Sequence, residues 1–137
     1  MHFPNNFLTK MKFVIISIFS ICIIKIFLKV MSLQSVIINV KKISAILLKS
    51  RESHISKERM HGWYLKLSNA LKIKSCLTNS LSQKIIFSNF GFNFLVICGV
   101  KFDEASNLKG HAWLSYKEQI IFENSEDIKG YSESFRV

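Results

Sequence analysis

The segment Phe13–Ile24 reads FVIISIFSICII, twelve residues without a charge, and it needs shelter from water wherever it folds. Lys10 and Lys12 precede it, and Lys25 and Lys29 follow. A basic start and a short apolar run resemble a signal peptide, but no small-x-small cleavage site comes next. Bulky Ile21 before Cys22 makes a poor lipobox. The run is also shorter than the roughly 20 residues that cross a bilayer. A helix that is buried or lies on a surface is therefore expected, with membrane attachment through residues 13–30 as the alternative, the lysines snorkelling. The apolar pattern continues over Val30–Leu48, with lysines at 41, 42 and 49, and predicts a second helix, either separate from the first or continuous with it.

A chain of 137 residues, 49% of them hydrophobic, builds one core and is not a disordered tail. One proline and five glycines leave few breaks, so long helices and a modest sheet are expected. The polar run 50–58 (SRESHISKE) is the one convincing internal boundary. It divides a hydrophobic helical region, 1–50, from a domain, 51–137. The net charge of +10 favours acidic partners, although dispersed lysines also serve to keep an apolar chain soluble. No zinc-finger spacing, RNP-type aromatic motif or recognition helix is present, so nucleic acid is not an expected partner. Cys22, Cys76 and Cys98 are odd in number and form no CxxC, which leaves a disulfide framework, a zinc site and a thioredoxin-type motif unsupported. No metal or cofactor is expected, and reduced thiols in a cytoplasmic setting are the default.

Beyond residue 55 the texture changes. Ser56 precedes Lys57-Glu58-Arg59, and Met60, Trp63, Tyr64, Leu67 and Leu71 then recur at helical spacing. Leu77, Leu81, Ile85 and Ile86 then mark one face of a further helix, with Gly91 as its stop. Cys76 thereby falls at a helix start, where unpaired N–H groups and the positive dipole end favour a thiolate. A small buried residue is the structural alternative. Residues 92–101, 110–116 and 119–123 read as three strands of an antiparallel meander, with Cys98 in the core. The fold class is α+β.

In that meander His111 and Trp113 share one sheet face and Ala112 takes the other. Glu123 lies on the adjacent strand. Thiol, imidazole and carboxylate can therefore converge from three elements, as nucleophilic acyl transfer requires. Asn124 competes with Glu123 for the third position. Asp103, Glu104 and Asp127 lie in expected loops. Trp113 is either a wall of the cleft or a core residue.

Cys76-Leu77-x-x-Ser80-Leu81 opening a helix, Gly91 at its end, Cys98-Gly99-Val100 closing a strand and His111-Ala112-Trp113 opening the next occur in order. The set resembles the B-type leader peptidases of lasso-peptide gene clusters, in the form split from the leader-binding half, over roughly residues 56–125. Those belong to the transglutaminase-like superfamily of papain-like Cys-His-Asp enzymes. The resemblance implies a transglutaminase-like core with Cys76 and His111 as catalytic residues, and Glu123 where the family usually has Asp. It also implies a precursor peptide as substrate, a separate leader-binding partner protein and an ATP-dependent macrolactam cyclase acting on the freed amine. This chain has no Gly-rich phosphate loop of its own. Two other readings stay open: a transglutaminase or deamidase with the same triad, and a non-catalytic membrane-associated protein.

Overall fold

The computed structural model describes residues 3–137. Four helices come first: α1 (Phe3–Val30), α2 (Leu33–Leu47), α3 (Lys57–Ala70) and α4 (Cys76–Ser88). Strands β1 (Leu95–Phe102), β2 (Leu108–Tyr116) and β3 (Gln119–Ile121), a single-turn α5 (Ser125–Ile128) and β4 (Ser132–Arg136) follow. The four strands form one antiparallel sheet in the order β3-β2-β1-β4. The fold is therefore α+β, helices followed by a small antiparallel sheet.

Three serines set where helices begin. Ser32, Ser56 and Ser75 each stand in extended backbone and accept an N–H three residues on, from Ser35, Arg59 and Thr78. The cap at Ser32 makes α1 and α2 two helices rather than one. At the other end of α3, Lys72 adopts a left-handed φ of 55° in place of a stop glycine. Gly91 has φ 87°, and a Cβ there would run into the Arg51 carbonyl, so both dihedral and space demand glycine.

Helix α4 is the centre of the molecule. It packs on α1 and α2 on one side and on β1 and β2 on the other. This explains why every residue from Ser80 to Ser88 is buried, although the leucine–isoleucine spacing marks only one face. Phe13 of α1 meets Phe87 and Phe90 edge-on or tilted, with ring centroids 6.1 and 5.6 Å away. One core joins residues from Phe13 to Val137 and so includes both sides of the polar stretch near residue 50. Lys84 is a buried charge within it, its Nζ donating to the Phe94 carbonyl at 2.7 Å.

The sheet is larger than a three-strand meander. β4 pairs with β1, with an irregularity between Cys98 and Gly99, and Val137 exchanges both backbone bonds with Val96. A second, smaller cluster of Ile97, Trp113 and Ile128 lies on the opposite face from the main core. β3 ends at Ile121, two residues earlier than its sequence pattern predicts, because Phe122 turns into left-handed backbone at φ 63°.

Candidate active site

Cys76 is the first residue of α4. Ser75 takes the N–H of Thr78 on its hydroxyl and that of Asn79 on its carbonyl. The N–H groups of Cys76 and Leu77 sit at the open end of the helix, where no intrahelical acceptor exists. The thiol is half-buried. It lines a cavity of about 290 Å³ together with Leu33, Leu77, Cys98, His111 and Phe135. No hydrogen bond joins the Cys76 sulfur to the His111 ring among the described residues; the two meet as neighbours on that cavity.

His111 is held from its far side. Its Nε2 is hydrogen-bonded to Glu123 Oε1, both side chains about a quarter exposed. In the neutral ring, a carboxylate beside Nε2 favours the tautomer with the proton on Nε2 and Nδ1 as acceptor. The ring also stacks on Trp113 (6.0 Å, 27°) and leans on Tyr131 (5.5 Å, 40°). Trp113 is 6% exposed and does not line the cavity. It is a core residue behind the imidazole rather than a wall of the cleft. Gly99, paired with His111 across the strands, makes room for that indole: a Cβ there would come within 2.7 Å of the ring.

The kink at Phe122 decides which residue meets His111. β2 and β3 pair Leu114 with Ile121, and the same register continued regularly would set Asn124 opposite His111. The left-handed residue breaks the register and brings Glu123 there instead. Asn124 becomes the cap position of α5, and its side chain makes no capping bond. Asp103 folds its own loop, accepting the N–H groups of Ala105 and Asn107.

Two ties between elements hold this geometry, and the second carries no sequence signal of its own. Ser80, one turn beyond Cys76, donates to the carbonyl of Ala112, the residue after His111, at 3.3 Å. His61 of α3 bonds Gln83 of α4 at 2.9 Å and lies flat on the Phe122 ring, 3.8 Å away at 1°. Burial keeps the His61 pKa below its ordinary value, against the smaller opposing effect of Gln83, so it is neutral near pH 7. Cys98, the second thiol on the cavity, is pushed up to about 11, first by burial and then by Cys76 beside it. It stays protonated at neutral pH and is a poor nucleophile. No cluster of metal-ligating side chains occurs among the described residues.

A thiol at a helix start and a carboxylate-held imidazole on one cavity are the parts of thiol-based acyl transfer. Comparison with known proteins agrees in class. The family model of the transglutaminase-like superfamily matches residues 28–136, from the end of α1 to the end of β4. No curated protein and no solved structure matches the chain. The match includes α2, and the superfamily suggests chemistry of cysteine-protease or acyl-transferase type. The chain belongs to the transglutaminase-like superfamily.

Proposed function

We propose that this chain is a cysteine peptidase that removes the leader from a ribosomally made lasso-peptide precursor, with Cys76, His111 and Glu123 as its catalytic residues. The observation that carries the catalytic part is the His111–Glu123 pair on the cavity that Cys76 lines. The choice of substrate rests on the ordered motifs around Cys76, Gly99 and His111.

In the proposed reaction the Cys76 thiol gives its proton to His111 Nδ1 as sulfur attacks the scissile carbonyl. The tetrahedral oxyanion is met by the Cys76 N–H at the open start of α4. The C–N bond then breaks, and the imidazolium returns the proton to the leaving amine, freeing the core peptide's N-terminus. Water next attacks the thioester, its proton passing through His111 to the departing sulfur, and the leader leaves as a carboxylic acid. Glu123 keeps the ring oriented and stabilises the imidazolium. A separate leader-binding protein presents the precursor, and an ATP-dependent cyclase closes the macrolactam on the new amine.

The test is the full chain incubated with a leader-binding partner and precursor, read by mass spectrometry. Cys76→Ala should lose at least about a thousandfold in rate. Cleavage by that variant at the wild-type rate would end the peptidase reading. A mass change of about one dalton with the chain intact would point instead to deamidation of a glutamine by the same thiol.

A further inference from the structure

Helix α1 is apolar on every side, but the rest of the protein covers only one side. Phe13, Ile21 and Ile24 are buried at 2% exposure or less. On the other side Leu8, Met11, Ile15, Phe19, Cys22 and Ile26 follow one another at steps of three and four residues, and all are exposed. That spacing makes one continuous stripe. Unbroken apolar surface on a soluble monomer marks an interaction site. A cleft of about 250 Å³, lined by Ile15, Phe19, Ile23, Ile43 and Leu47 among others, opens between α1 and α2 beside the stripe.

The charge distribution indicates what covers it. Residues 1–51 contain eight Lys and Arg and no Asp or Glu, while all nine acids lie from Glu52 onward. Lys12, Lys25, Lys29, Lys41 and Lys42 are exposed. A second copy laid on this face would bring two uncompensated positive regions together. A surface apolar within and negative at its boundary suits both the stripe and the lysines.

We propose that the outer face of α1 is a lipid-docking surface, on which the protein lies flat against a membrane bearing anionic headgroups. The segment Phe7–Val30 has the length and composition to cross a bilayer. Crossing, however, would withdraw Phe13, Ile21 and Ile24 from the shared core and open it. Lying in the interface keeps those contacts, sinks the stripe among the acyl chains and lets the lysines reach phosphate oxygens. The cleft between α1 and α2 would receive the end of an acyl chain.

The experiment uses the full chain carrying Cys76→Ala, in which Cys22 is the exposed thiol and Cys98 is buried. Cys22 is labelled with a polarity-sensitive fluorophore. The chain is then floated with vesicles of phosphatidylcholine, alone or in equal parts with phosphatidylglycerol. Flotation and a blue shift are expected with the anionic vesicles. Quenching should be stronger from headgroup-region spin labels than from labels at the chain ends. Lys25→Gln/Lys29→Gln should bind about tenfold or more weakly. Phe19→Glu, at a position 66% exposed, should abolish flotation with its thermal unfolding unchanged. Equal binding to neutral vesicles would overturn the proposal, as would strongest quenching from the chain ends, which marks a span. Self-association or capture by a protein partner through this face, without flotation, would overturn it too. None of these readouts involves catalysis, so the outcome is independent of the peptidase reading.

Discussion

His111 receives its carboxylate from a residue that ordinary strand geometry would have placed elsewhere. Phe122, at φ 63°, occupies backbone that non-glycine residues rarely adopt, and its ring is fixed among Phe87, Phe94 and His61. Nothing about a phenylalanine announces that conformation. This is why the sequence leaves Glu123 and Asn124 open, while the coordinates place Glu123 on the imidazole. Cys76 and His111 stand out as candidates through the ordered motifs around them, since a helix start or a strand position by itself fits a core residue equally well. Glu123→Gln, which keeps the shape and loses the charge, should lower kcat by about a hundredfold or more. Asn124→Ala should stay within about twofold of the wild type, since its exposed side chain makes no bond to the ring. Steady-state kinetics on the pair of variants checks both.

Helix α4 brings a core, a buried cation and the proposed nucleophile onto thirteen residues. Its boundaries were legible, its full burial was not, because burial on two sides depends on elements distant in sequence. β4 was missed for a related reason. Ser132–Arg136 holds one apolar residue and sits at a sheet edge, so alternation gives almost no signal. Lys84 shows what α4's burial costs. Desolvation first, then Lys41, brings its pKa down from 10.5 to about 8. The unfolded chain therefore holds that proton more tightly, and native stability should rise as pH climbs from about 8 toward 10.5. Cys98 acts in the opposite sense from 9 to about 11, since there the unfolded thiol ionises first. The difference between wild type and Lys84→Met in chemical denaturation across this range isolates the lysine. Wild-type stability relative to that variant should increase as pH rises through this range. In the sheet, Gly99→Ala would press a methyl into the Trp113 ring and within 3.1 Å of the Ser132 carbonyl. It should lose about 1–3 kcal/mol of unfolding free energy.

On the scale of the whole molecule, α1 lies almost entirely before the region matched by the family model, yet its Phe13, Ile21 and Ile24 complete the shared core. A chain beginning at residue 31 should expose the α4 surface beneath them. It should bind a hydrophobic dye and lose its sharp thermal transition, as calorimetry would show. The helical region and its basic charge were readable from composition. The packing of α1 onto α4 was not, because a helix apolar all round gives no sign of which side faces inward. A last consequence concerns α3, which contributes none of the three proposed reacting groups. His61 is bound to the helix that begins with Cys76 and stacked on the residue preceding Glu123. The helix of the sulfur and the turn before the carboxylate thus bear on a common spacer, an imidazole lying flat on a benzyl ring. Shortening that spacer with His61→Ala should slow turnover while the rate of Cys76 alkylation stays the same, a fault of alignment with every reagent still in place.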